Sequence, residues 1–183
     1  MIRISFTEIE RREGENRRES ERLAVKKCLE KLGVPETLEH HSNGAPYIAG
    51  HPEISISVSH SARLCAVAAG DMNDGKFGID IEDAGRPQLA KVSERILSEE
   101  ELREANILPD GMAKAWTAKE ALYKASGNEK TDFIRDIKLS LPGFRKATVY
   151  PKAESYNLNF ERYSENQLFC LACQCNNYEI KTL

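Results

Sequence analysis

The sequence predicts an α+β chain of two similar halves, split near residues 70–76. Three observations predict it. Stretches of period-two alternation are interspersed with stretches of helical periodicity. Their order, strand, helix, strands and then strand, helices, strands, is roughly doubled. The chain is 183 residues long and 40% hydrophobic, enough to bury a core in one or two domains.

The elements follow in order. Met1–Thr7 alternates Ile2, Ile4 and Phe6 with polar residues and reads as a strand. Glu10–Lys31 is highly charged and then brings Val25, Cys28, Leu29 and Leu32 to helical spacing, with Gly33 and Pro35 as a stop. Asn43-Gly44-Ala45-Pro46 reads as a turn. Ile54, Ile56 and Val58 alternate with Ser55, Ser57 and Ser59 in a half-buried strand. After a break at Ser59–Arg63 come an apolar run, Leu64–Ala69, a turn at Asn73-Asp74-Gly75 and a third strand, Lys76–Glu82. Short turns between the three predict an antiparallel meander.

Pro87–Leu97 carries Leu89, Val92 and Ile96 on one helical face. Ser98-Glu-Glu-Glu101 is a capping-box signature for a further helix, broken at Pro109-Asp110-Gly111. Met112–Ser126 is the best helix of the chain, with Gly127 at its end. Strands are predicted over Phe133–Leu141, Ala147–Tyr150, Tyr156–Tyr163 and Gln167–Gln174, the last two joined at Ser164-Glu165-Asn166.

Composition excludes several functions. The net charge of −3 argues against a general nucleic-acid binder. No apolar run reaches the roughly 18 residues that cross a bilayer, and Met1–Glu10 lacks a secretory pattern. Five dispersed cysteines suit reduced thiols in the cytoplasm. Cys170 and Cys173 form a C-x-x-C, yet a strand puts them on opposite faces and no second pair completes a zinc site.

Two constellations could carry chemistry. In Phe77-Gly78-Ile79-Asp80-Ile81-Glu82, strand alternation puts both carboxylates on one face, ~6–7 Å apart. Such a pair suits a hard divalent cation, typically Mg²⁺, or is merely a solvated strand face. In the helix, Ala115, Ala118, Leu122 and Ala125 form a narrow stripe, while Trp116, Glu120 and Lys124 share another face. Glu120 and Lys124 could equally be an ordinary helix ion pair. Together, three carboxylates and a lysine match what phosphoryl transfer needs. His60, in Ser57-Val58-Ser59-His60-Ser61, could bind phosphate oxygens at a strand end. A serine hydrolase is disfavoured because no G-x-S-x-G surrounds any serine. His40, His41 and His51 read as loop surface. Arg11, Arg12, Arg17, Arg18, Arg22, Lys26 and Lys27, interleaved with Glu13, Glu15, Glu19 and Glu21, read as a solvated helix face from which an arginine could reach a phosphate.

The motifs resemble those of the 4′-phosphopantetheinyl transferases of the Sfp type. Ile56–Ser61, Phe77–Glu82 and Trp116-x-x-Lys119-Glu120-Ala121-x-x-Lys124-Ala125 occur in the family's order, the latter two about 35 residues apart. The resemblance implies a pseudo-dimer of two halves, each a small antiparallel sheet packed with a long helix, the active site lying between them. The halves would be residues 1–75, carrying CoA-phosphate-binding elements, and 76–183, carrying the magnesium and catalytic motifs. It implies transfer of the 4′-phosphopantetheine arm of coenzyme A to a serine of an apo acyl or peptidyl carrier protein, releasing 3′,5′-ADP. Asp80, Glu82 and Glu120 would hold Mg²⁺. Glu120 would serve as base, and Lys124 would stabilise the pyrophosphate, with Lys119 as a helper. Arg18, Pro46, Ser59 and His60 match CoA-contacting positions. Ala45 replaces a lysine common in Gly-Lys-Pro. A half-chain preceding the acidic motif implies a monomer rather than a trimer of small synthases. A CoA- or carrier-binding relative without catalysis, and a metal-dependent phosphodiesterase or nuclease, are the alternatives.

Overall fold

A computed structural model describes residues 1–10, 14, 16–127, 130–175 and 177–181. Arg11, Arg12, Glu13 and Glu15 of the N-terminal basic stretch lie outside the described residues. The described residues form eleven strands and four helices, a mixed α+β architecture. In order these are β1 (Ile2–Glu8), α1 (Arg17–Leu32), β2 (Leu38–His40), β3 (Pro46–Ile48), β4 (Ile54–His60), β5 (Leu64–Asp71) and β6 (Phe77–Asp83). Then follow α2 (Leu89–Ser93), α3 (Glu99–Ile107), α4 (Gly111–Ala125), β7 (Ile137–Leu139), β8 (Lys146–Val149), β9 (Glu154–Arg162), β10 (Gln167–Cys173) and β11 (Tyr178–Lys181). Among the described residues no helix is long and apolar enough to cross a membrane.

One sheet has the order β11-β1-β5-β4, the other β6-β10-β9-β8-β7, and β2 and β3 form a separate hairpin. Each face of a strand has its own partner. Along β5, Cys65, Val67 and Ala69 pack under Ala24, Cys28, Leu29 and Leu32 of α1. Leu64, Ala66 and Ala68 meet Ile79, Ile81, Phe169 and Leu171 of the other sheet. On the far side, Ala115, Ala118, Ala121, Leu122 and Ala125 of α4 cover Ile137, Tyr156, Leu158 and Cys170. The layers therefore run α1, sheet, sheet, α4. A strand buried on both sides needs apolar residues at every position, hence the continuous run Leu64–Ala69.

Ends of the helices obey local rules. Asn16 caps α1 by accepting from Arg18 N, and Gly33, at φ 64°, closes it with Val34 N bonded to Leu29 O. Ser98 and Glu101 form the capping box of α3. The Gly127 N–H returns to Lys124 O at φ 84°.

Several sequence expectations are corrected. The meander is only a hairpin, because β5 is already flanked by β1 and β4, and β6 pairs instead with β10, Cys170 opposite Asp80. β4 and β6 still meet: Ile79 N donates to Ser57 Oγ (3.1 Å) and Ile81 N to Ser59 Oγ (3.2 Å). Side-chain hydroxyls thus replace a main-chain ladder along the β6 edge. The helix expected over Pro87–Leu97 shrinks to Leu89–Ser93, and the strand from Phe133 begins only at Ile137. The β2–β3 hairpin and β11, which pairs parallel to β1, lie outside the expected elements.

Gly78 sets the distance between β6 and α4. A Cβ there would lie 2.1 Å from Ala121 O and 2.5 Å from Ala125 N, both backbone atoms. Rotamer changes cannot relieve such a clash, so the helix would have to lift off the strand. Gly78→Ala is expected to cost about 3 kcal/mol, at the upper end for overpacking. A urea melt within 0.5 kcal/mol of wild type (a small effect by ordinary mutational standards) would refute this contact.

Candidate active site

The close approach enforced at Gly78 brings the next residues of β6 against the polar side of α4. Alternation turns Phe77, Ile79 and Ile81 into the core between the sheets and leaves Gly78, Asp80 and Glu82 on the α4 face. Asp80 and Glu82 are 7% and 8% exposed, unusual for carboxylates without compensation. Asp80 Oδ1 accepts from Lys124 Nζ at 2.8 Å and from Ser59 Oγ at 2.7 Å. Lys124 Nζ also donates to Ile79 O at 3.1 Å. Three elements, β4, β6 and α4, thus converge on one carboxylate.

Glu82 Oε1 accepts from Asp83 N at 2.9 Å, and its Oε2 lies 3.1 Å from Arg86 Nη2. Burial pushes the Glu82 pKa upward, and Asp80 and Asp83 add to it against the Asp83 amide and Arg86. Half-buried Glu120, one turn before Lys124, has its pKa raised by burial and next by the charge of Asp80; Lys124 opposes, Glu82 adds and Arg86 opposes. The three carboxylates therefore share one electrostatic environment. Among the described residues, however, no group of three or more His, Cys, Asp or Glu side chains is gathered tightly enough to chelate an ion as it stands. The oxygens of Asp80 and Glu82 face their own cations, Lys124 and Arg86.

A cleft of about 870 Å³ opens beside this cluster, lined by Ala45, Pro46, Ser57, Ser59, His60, Asp80 and Lys124 among others. Asn43 Nδ2 bonds Gly127 O at 2.9 Å, fastening the β2–β3 turn to the end of α4. Arg18 lines an adjoining groove with Arg22, Lys26 and His40, and His60 borders both spaces. The His60 ring is 3.6 Å from Glu21, which Arg17 also holds at 2.6 Å. Pro46, His60, Asp80 and Lys124 thus share one cleft, while Glu82 and Glu120 extend the acidic face along β6 and α4.

Two expected site residues take other places. Lys119 is fully buried on another side of α4, paired with Glu101 at 2.9 Å and donating to Phe133 O and Ile137 O at 2.7 and 2.6 Å. All three ammonium hydrogens have acceptors inside the protein, so it braces α3 and β7 and leaves no hydrogen free for a ligand. The Ser59 hydroxyl gives its proton to Asp80 and accepts from Ile81 N. It therefore positions Asp80 rather than offering a donor to a phosphate. Sequence reasoning missed Arg86, which lies four residues beyond Glu82 and looks like any turn cation. It also missed Ser57, whose alternation with apolar residues was visible but whose partner across the sheets was not.

Two comparisons bear on this geometry. Residues 76–180 match the family model described as the 4′-phosphopantetheinyl transferase superfamily. No curated protein matches the chain.

Proposed function

The chain belongs to the 4′-phosphopantetheinyl transferase superfamily, whose model covers more than half of it, and from that premise we propose an Sfp-type enzyme. It moves the 4′-phosphopantetheine arm of coenzyme A to a serine of an apo acyl or peptidyl carrier protein and releases 3′,5′-ADP. The observation that carries this reading is the junction of Ser59, Asp80 and Lys124 at the cleft, continued by Glu82 and Glu120.

The acidic face suits Mg²⁺ in the chemistry of its donors, with Asp80 and Glu82 turning from Lys124 and Arg86 to close on the ion. Its donors are hard carboxylate oxygens, and Glu82 and Glu120 are held above the usual carboxylate range by burial, with the charge of Asp80 adding to it. Asp80, Glu82 and Glu120 would hold the ion. When bound, it supplies charge neutralisation at the pyrophosphate.

The residues supply the rest. Glu120, one turn before Lys124 on α4, takes the proton from the carrier serine oxygen. That oxygen attacks the phosphorus bearing the pantetheine arm, and the bond to the bridging pyrophosphate oxygen breaks. Lys124 offers its ammonium to the oxygen that departs on 3′,5′-ADP. Pro46 and His60 line the cleft for the CoA phosphates, with Arg18 next to them. Where a lysine would reach into the cleft, Ala45 leaves space, so part of the phosphate charge falls to neighbouring cations.

In the same proposal the chain is a cytoplasmic monomer and a pseudo-dimer. One half is residues 1–75, the other residues 76–183 except β11, which pairs into the sheet of the first half, and the site lies between them. Support comes from the layer order, in which each sheet carries one long helix outside. The five free cysteines suit a reducing compartment.

Incubation of the protein with CoA, Mg²⁺ and an apo carrier is expected to add one phosphopantetheine arm to the carrier, read by intact-protein mass. No gain over a panel of acyl and peptidyl carriers would reject the activity.

A further inference from the structure

We propose that Arg86 is a resident counter-cation of the acidic face, holding Glu82 in competition with a divalent ion and so setting the affinity for that ion. This rests on the reading that Asp80, Glu82 and Glu120 take such an ion.

Arg86 is placed by a turn directly after β6, in which Arg86 N bonds Asp83 O and Gly85 N bonds Asp83 Oδ1, both at 2.9 Å. The turn returns its guanidinium to Glu82 Oε2 at 3.1 Å. The other side of that group meets α4: Cζ lies 5.5 Å from the centroid of the Trp116 ring, a cation–π separation. Trp116 is one turn before Glu120, and Glu120 one turn before Lys124, on a single helical stripe. Cations and carboxylates therefore alternate along the β6–α4 seam.

The grip on Arg86 is incomplete. Its Nε is buried with no hydrogen-bond partner, and its side chain keeps 37% exposure. Lys119 differs, with three acceptors and no exposure. A cation built to hold the fold is saturated like Lys119, whereas a cation built to yield keeps one strong contact and an open route to solvent. Counted by formal charge, Asp80, Glu82 and Glu120 give −3, and Lys124 with Arg86 returns +2. The face is left at −1, and without Arg86 it stands at −2.

The test is a titration of Mn²⁺ alone, with free ion read by electron paramagnetic resonance. Wild type, Arg86→Gln, Arg86→Lys and Lys91→Gln are compared, Lys91 being an exposed cation of α2. Removing a unit charge next to the ion is expected to tighten Mn²⁺ binding roughly tenfold in Arg86→Gln. Arg86→Lys, which keeps the charge but loses the planar stack, should fall between the two. Lys91→Gln should match wild type, separating a local effect from net charge. Binding in Arg86→Gln that equals or trails wild type overturns the role of Arg86 while leaving the ion site standing. No Mn²⁺ binding by any variant overturns the ion site and this proposal with it. Because the Arg86 side chain keeps 37% exposure on its turn, each variant should keep the far-ultraviolet dichroism of the wild type.

Discussion

Lys119→Met is expected to lower stability by about 3–5 kcal/mol, because it strips the partner from a buried carboxylate. Glu101 is only 3% exposed and closes the capping box of α3, so it cannot turn to water without unwinding that helix. Leu139 N also donates to it, at 2.9 Å, and the two carbonyls that Lys119 serves would be left unpaired. Melting should fall by roughly 10 °C for a chain of this size. The double variant Lys119→Met with Glu101→Leu should recover only part of the loss, since it removes the unpaired buried charge but leaves Ser98 N, Leu139 N and the two carbonyls without these partners. A single variant melting within 2 °C of wild type (under roughly 1 kcal/mol) would disprove the brace. The same lysine gives a pH signature. Burial holds its pKa below 10.5, with Glu101 only partly offsetting it. Between that lowered value and 10.5 the unfolded chain binds a proton that the folded one does not. Stability from this group therefore rises with pH through that window and is flat below it. Urea melts should show the gap between wild type and Lys119→Met widening there as pH increases.

Glu120→Gln is expected to reduce turnover on carrier protein by about 10²–10⁴-fold, the usual contribution of a positioned base. The fold should not suffer. The carboxylate is disfavoured by burial and by Asp80 and Glu82, so removing its charge relieves repulsion and the melting temperature should hold or rise. Loss of activity with retained stability separates chemistry from folding. Full activity would transfer the base role to another group.

Much of this site was legible because its two motifs sit on regular elements. Period two along Phe77–Glu82 separates the apolar from the acidic residues. The Ala-rich stripe of α4 announces a close approach, for which Gly78 provides the space. The roles of Lys119 and Lys124 were separable in principle, because five residues at ~100° each leave them ~140° apart around the helix. The motif match obscured that difference by joining them in one string. Other features depended on contacts between distant segments. Nothing near Ser57 or Ser59 reveals that β6 will be their partner, and nothing near Arg86 reveals Trp116. β6 joins the sheet of β10 because both edges of β5 are already taken by β1 and β4.

The pairing of Ile2 with Tyr178 and of Ser5 with Lys181 has a consequence for biosynthesis. As the polypeptide leaves the ribosome, one margin of β1 stays without its neighbour until Tyr178–Lys181 have been made. Ribosome-bound intermediates carry that bare margin until then, and a chaperone that shields extended segments would find its target at Ile2–Glu8.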